Sequence, residues 1–237
     1  MAIAVLFGSF LALIFLGMPI GYAIGLATLF GVAVDPIVPF TTLTQNCVTG
    51  VDSFPLMAVP FFMLAGNLMS CGGIAERIVH LCDVLFGKFS GGLSIVTIVA
   101  CMFYAALSGS AVATTTGVGS FMIPSMAERG YDKGFAASVT AAAGSIGVII
   151  PPSIPFVIYG VTVNCSIGDL FIAGVMPGIA MGVALIIMSV IYSKRHGYGG
   201  DKTHYTAKQV WTAFYRAIFA LLMPVIILGG IYSGIFT

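Results

Sequence analysis

Apolar residues fill eight runs of this chain, roughly 2–16, 20–34, 55–70, 91–107, 111–127, 135–163, 168–193 and 217–236. The runs are unbroken rather than alternating, so they predict helices and not the short alternating segments of a transmembrane barrel. A full membrane crossing takes about 20 residues. Several runs fall short of that, as expected for half-helices or for helices flanked by Gly and Pro. Segment 74–87 (IAERIVHLCDVLFG) sets Ile74, Ile78, Leu81 and Leu85 on one face and Glu76, Arg77, His80 and Asp83 on the other. This predicts a short amphipathic helix lying in the membrane interface. Residues 207–217 (AKQVWTAFYRA) have a similar character, with Trp211 and Tyr215 suited to the headgroup level.

Two polar interruptions stand out inside the apolar field, ALSGSAVATTT at 106–116 and GSIGVIIPPSIPFVIYG at 144–160. Lipid tolerates broken backbone only where protein or a water-filled cavity covers the freed N–H and C=O groups. Paired breaks between apolar helices point to a transporter's binding site at membrane depth. The bland alternatives are Ser and Thr bonding back to carbonyls four residues earlier, and Pro that merely kinks a helix.

Composition fixes the class. Of 237 residues 59% are hydrophobic and 7% charged, and the mean hydropathy is +1.11, whereas soluble domains run near 25% charged. The expected fold is all-α, a polytopic helical membrane protein with a re-entrant hairpin and a broken transmembrane helix. A net charge of +1 suggests no nucleic-acid partner. The five cysteines (Cys47, Cys71, Cys82, Cys101 and Cys165) lack metal-ligand spacing and read as small apolar fillers. Glycines such as Gly17, Gly21 and Gly25 read as close helix packing. Residues 1–16 have no basic leader region and read as a retained span rather than a signal peptide.

All nine Lys and Arg fall within 71–90, 128–134 and 194–216, while the connections 35–54 and 164–169 contain none and carry Asp35, Asp52 and Asp169. By the positive-inside rule the basic segments are cytoplasmic and the acidic connections face out. Between the first two basic segments the chain makes either two full spans or one re-entrant hairpin, and charge parity does not separate these. The link Leu107-Ser108-Gly109-Ser110-Ala111 is short and uncharged, which favours the re-entrant hairpin. Counting back places the N-terminus outside.

A helix ending at membrane depth leaves unpaired carbonyls at its C-terminus and unpaired amides at the next N-terminus. Carbonyl ends attract small cations and amide ends attract carboxylates. Ser108, Gly109 and Ser110, with Thr114, Thr115 and Thr116 nearby, offer hard oxygen ligands without fixed charge, which suits sodium better than zinc or magnesium. In the second break Pro151 and Pro152 donate no backbone hydrogen bonds, which frees carbonyls near Gly147, Val148 and Ile150, and Ser153 adds a hydroxyl. The two breaks are expected to face each other and share one Na⁺.

An intramembrane protease is disfavoured. Ala106-Leu107-Ser108-Gly109 has Ala where a serine rhomboid signature has Gly, and His80, His196 and His204 all lie in basic segments, out of reach of Ser108. The runs that carry the breaks contain no Asp or Glu, which removes an aspartyl mechanism. The chain is not expected to be an enzyme, and no enzymatic cofactor is expected. A passive scaffold with broken helices but no ion, and an ion-coupled carrier working without a binding protein, remain as rivals on the breaks alone.

The strings LSGSAVATT, GSIGVIIPPSIPFVIYG and GVMPG (174–178) resemble the large membrane subunit of tripartite ATP-independent periplasmic (TRAP) transporters across the whole chain. The resemblance implies Na⁺-coupled secondary transport of a small organic anion, of the C4-dicarboxylate or sialic-acid class. It also implies a small membrane subunit and a periplasmic solute-binding protein as partners, in the bilayer of a bacterial inner membrane. The implied architecture is one half of an inverted-repeat, elevator-type fold. Residues 1–73 would be scaffold helices, 74–90 an amphipathic arm helix, 91–163 the transport-domain hairpin and broken helix, and 164–237 scaffold or connecting helices. Ser108, Gly109, Ser110, Gly144, Gly147, Val148, Ile150 and Pro151 would hold sodium, and Thr114, Thr115, Pro152 and Ser153 would meet the solute. Family members have two inverted halves, and this chain resembles the N-terminal half plus one further helix. The second hairpin, the second broken helix and half of the solute site are therefore expected to be absent, and the chain is expected to be incomplete alone.

Overall fold

The computed structural model describes residues 1–35, 37–52, 60, 61, 63, 64, 68, 72–198 and 206–233. The expected span at 55–70 lies largely outside these, as do Cys71, Lys202 and His204. The described residues are helical and contain no strand. The chain divides into two compact units, Met1–Phe54 and Pro55–Thr237.

In the first unit, α1 (Ala2–Phe15) and α2 (Ile20–Val34) pack together, joined through Gly17 at φ +80°. Their close approach is at Gly31, where an added Cβ would stand 3.2 Å from the Leu6 side chain. Gly21 and Gly25 have no neighbour within 4 Å of that position, so the packing expected of them is carried by Gly31, Ala23 and Ala27 instead. Residues 35–54, read from sequence as a plain connection, contain a helix, α3 (Phe40–Val51). Its polarity hid it. Thr44 and Thr49 turn their hydroxyls back onto the carbonyls of Phe40 and Gln45, which satisfies them within the helix.

The second unit is built around α5 (Gly92–Ser108), of whose 17 residues 14 are buried. That burial sets it apart from a span facing lipid. Around it pack α4 (Ile74–Phe86), α6 (Ala111–Glu128), α7 (Lys133–Gly144) and α9 (Ile167–His196). As predicted, α4 is amphipathic: Ile78 and Leu81 are buried while Glu76, Arg77 and His80 are exposed. Leu85 is 42% exposed, and Val84 and Cys82 take the inward positions instead.

The apolar run 135–163 is interrupted. α7 gives way to a single 3₁₀ turn (Ser145–Val148), then to Pro151-Pro152, whose peptide is cis, and then to α8 (Ile154–Val163). At 1.5 Å per residue, α7 and α8 span about 18 and 15 Å, each close to half of a ~30 Å hydrocarbon core. Among the described residues, two stretches are long and apolar enough to cross a membrane, one in α9 and one in α10 (Ala207–Tyr232). The amphipathic stretch 207–217 is not a separate interfacial helix, because α10 runs through it without a break. α9 is capped in keeping with its dipole, with Ser166 and Asp169 at its start and Lys194, Arg195 and His196 in its last turn.

Candidate functional site: the meeting of two helix breaks

α5 and α6 form a helical hairpin whose link is two residues, Gly109 and Ser110. Gly109 ends α5 in the left-handed conformation (φ +60°), and its N–H reaches the Ala105 carbonyl at 2.9 Å. Ser110 is extended and caps α6, its hydroxyl accepting from the Ala113 N–H at 3.4 Å. Local chemistry thus makes the turn, with glycine where φ must be positive and serine where a cap is needed.

The tip is tied by oxygen atoms. The Ser108 and Thr114 hydroxyls lie 2.8 Å apart, and Thr114 donates to the Ser110 carbonyl at 2.8 Å. The same carbonyl accepts the Thr114 N–H at 3.0 Å and faces the Ser108 hydroxyl at 3.3 Å. Ser108 and Thr114 are both buried. The result is a compact group of neutral oxygens without a charged side chain among them.

The second break is pressed onto this tip. The Ile154 N–H, first in α8, donates to the Gly109 carbonyl at 3.2 Å. A Cβ on Gly109 would stand 2.6 Å from the Pro152 carbonyl. One on Gly147 would stand 2.6 Å from the Thr114 hydroxyl and 2.7 Å from the Ser110 carbonyl, and one on Gly144 would collide with the Thr115 side chain. The glycines of 144–147 are therefore what let the 3₁₀ turn approach the hairpin.

Among the expected sodium residues, Ser108, Gly109, Ser110 and Gly147 converge on one spot, with Thr114 of the expected solute set between them. Gly144 adjoins through Thr115, and Pro152 lies against Gly109. Val148 is engaged differently, since its carbonyl accepts the Ser153 hydroxyl at 2.7 Å. Ser153 also caps α8 through the Phe156 N–H, so its side chain serves the break's own geometry. Pro151 is buried, and Ile150 packs towards Gly178 of α9. Thr116 points away from the tip and lines a cleft of about 310 Å³ with Glu76 and Ser120. Among the described residues no cluster of three His, Cys, Asp or Glu could hold a metal ion.

Two supports were not read from sequence. α9 braces the second break through Gly174, where a Cβ would stand 2.6 Å from the Ile149 carbonyl. Tyr198, just past α9, accepts the Gly91 N–H (3.1 Å) on its carbonyl and the Asp132 N–H (3.1 Å) on its hydroxyl, so it bridges the start of α5 and the α6–α7 turn. Its ring stacks on Tyr131 at 4.5 Å, beside the Phe135–Tyr192 stack at 4.3 Å. The signal available was aromatic clustering near a helix end, which single-sequence periodicity does not distinguish from interface anchoring.

The profile described as tripartite ATP-independent periplasmic transporter, DctM component, matches residues 7–237. The isethionate TRAP transporter permease protein DctMQ of Oleidesulfovibrio alaskensis is 47% identical over 98% of this chain and 37% of its own length. The C4-dicarboxylate TRAP transporter large permease protein DctM of Rhodobacter capsulatus is 36% identical over all of this chain and 57% of its own. The sialic acid TRAP transporter permease protein SiaT of Haemophilus influenzae is 40% identical over 96% and 37%, respectively. The chain thus spans between about a third and three-fifths of the relatives it matches. On a profile match across nearly its whole length and on relatives of this identity, the chain belongs to the DctM component family of tripartite ATP-independent periplasmic transporters.

Proposed function

We propose that this chain supplies the first ion-binding half of a membrane permease subunit in a Na⁺-coupled, binding-protein-dependent secondary transporter for a small organic anion. Its family is one of inner-membrane permeases, and its relatives carry the names of C4-dicarboxylate, sialic acid and isethionate transporters. The solute would belong to that class of organic acids. The partners would be a small TRAP membrane subunit and a periplasmic solute-binding protein. The chain's part in this is binding and movement, with no covalent chemistry.

The observation that carries the reading is the bond from the Ile154 N–H to the Gly109 carbonyl, which fastens the hairpin tip to the interruption between α7 and α8. α7 enters from a basic turn and stops after about 18 Å, so a tip fastened at its end lies near mid-membrane. This supports a re-entrant hairpin, and the distribution of basic segments along the chain would then put the N-terminus in the periplasm. The oxygens of Ser108, Ser110 and Thr114, cradled against Gly147, fit a desolvated monovalent cation better than a divalent one, since among the described residues no carboxylate joins them to neutralise a second charge. Ser108, Gly109, Ser110 and Gly147, with the Thr114 hydroxyl, would hold Na⁺; Gly144, Val148, Ile150 and Pro151 would shape the second break behind them, and Thr115, Pro152 and Ser153 would border the solute. An elevator motion would then carry the hairpin and broken helix as one body.

Thermal unfolding of the purified chain in Na⁺ and in K⁺ tests the ion site. Tm should rise with Na⁺ alone, and Ser108→Leu, which also overpacks a buried site, should lower Tm in both cations and erase the difference between them. A wild-type Tm indifferent to the cation overturns the proposal. Accessibility of an introduced N-terminal cysteine to an impermeant thiol reagent in intact cells tests the orientation.

A further inference from the structure

A second polar site lies away from the helix breaks. α4 and α10 pack through Leu81 and Val84 against Ala213 and Ala217, flanked by Val210 and Leu221. Beside this contact opens a cleft of about 290 Å³ lined by His80 of α4 and by Lys208, Gln209, Thr212 and Arg216 of α10. Lys208, Thr212 and Arg216 recur every four residues and form one stripe over the first turns of α10. Among the described residues no carboxylate pairs with Lys208 or Arg216. Of the carboxylates on α4, Glu76 lines a separate cleft and Asp83 lies 3.9 Å from Arg129. Two cations of different shape, an amide and an imidazole therefore face one concavity.

The surroundings say what kind of anion would sit there. Trp211 and Tyr215, exposed by 70% and 68%, ring the same level of α10, as aromatics do at headgroup depth. Seven and fourteen residues beyond Thr212 on the same face come Phe219 and Ile226, also exposed, which continue the polar stripe into an apolar track. A phosphate group held by the stripe would lead directly into acyl chains lying along that track. A soluble anion would gain nothing from it.

We propose that this cleft binds the phosphodiester headgroup of an anionic membrane phospholipid, such as phosphatidylglycerol, with Arg216 and Lys208 on the phosphate and the acyl chains along Phe219 and Ile226. Arg supplies the fork that matches phosphate geometry and Lys a mobile point charge. Basic pockets at the cytoplasmic edge of helical membrane proteins hold anionic headgroups in this manner. The bound lipid bridges α4 and α10 beside the apolar contact described above.

Native mass spectrometry of the detergent-purified chain with phosphatidylglycerol and phosphatidylethanolamine of identical acyl chains tests this. Each cation at a membrane surface is worth roughly fivefold in affinity, so Lys208→Gln/Arg216→Gln should lower the preference for phosphatidylglycerol by about 25-fold. The charge-matched Lys194→Gln/Arg195→Gln, at the exposed end of α9, should retain it. Inorganic phosphate in millimolar excess should not displace the lipid. An equal loss in both double variants, an undiminished preference in the first, or displacement by inorganic phosphate would each overturn the assignment. The lipid readout is independent of the sodium-dependent Tm, so either proposal can fail alone.

Discussion

Two glycines in the left-handed conformation separate backbone strain from the fastening of the hairpin tip. Gly109 (φ +60°) and Gly130 (φ +83°) both pay for a Cβ through φ, at roughly 1–2 kcal/mol. They differ in what the Cβ meets. At Gly130 nothing lies within 4 Å, whereas at Gly109 the Pro152 carbonyl stands at 2.6 Å and the Ile154 nitrogen at 3.4 Å. The obstacle is buried backbone, which does not rotate aside, so the tip or the second break must retreat. That retreat adds an overpacking cost of about 1–3 kcal/mol and loses the Gly109–Ile154 hydrogen bond, worth about 1 kcal/mol net. Gly109→Ala should therefore destabilise the chain by about 2–4 kcal/mol more than Gly130→Ala does. Loss of helical signal during SDS titration in mixed micelles gives both values on one scale. Equal losses would mean that the tip is free of the second break, and the reasoning for a shared site would fall with it.

The same titration should find Thr114→Val costing about 1–3 kcal/mol, because it strips the hydroxyl that pairs with both Ser108 and the Ser110 carbonyl, while Thr114→Ser restores part of the loss. Gly147→Ala puts a methyl against those same oxygens and should abolish the Na⁺-dependent rise in Tm. Gly229→Ala, which has open space around it, should keep that rise. Thiol labelling should divide the cysteines by burial. Cys47 and Cys165 are exposed and should react with maleimide. The Cys82 thiol is pushed up to about 12 by burial, with a smaller push from the Asp83 carboxylate, so it stays protonated and should remain unlabelled as pH rises from about 7 to 9. Rapid labelling of Cys82 in folded chain at the lower pH would show that α4 does not hold its packed position.

Much of the hairpin was legible because its determinants are local. Ser108-Gly109-Ser110 contains a positive-φ residue and a cap within three positions, and the turn needs little else. The interruption at Pro151-Pro152 was legible for the same reason, since proline removes donors wherever it stands. α3 was missed because hydropathy reports the solvent and not the backbone. Its Thr and Gln residues are compatible with a helix that no apolar stripe advertises. The continuous α10 was divided in error on the same ground, because the change from polar to apolar near Arg216 marks a change of surroundings while the hydrogen-bond ladder passes straight through.

What sequence could not tell was which glycine does which job. A glycine is required either where φ is positive or where another chain segment comes too close for a Cβ, and the letter is the same in both cases. Here Gly109 meets both demands, Gly130 only the first, and Gly147 and Gly174 only the second. The second demand depends on a partner distant in the chain, so it emerges only once α9 lies on the second break and the second break lies on the hairpin. This layering also bears on chemistry. The oxygens of Ser108, Ser110 and Thr114 carry no net charge, so any affinity for a cation rests on how rigidly they are held together. Rigidity here comes from successive glycine contacts, Gly174 on Ile149 and Gly147 on Thr114, rather than from a carboxylate. A cation held this way would be released when the layers part, without having to separate a buried charge pair.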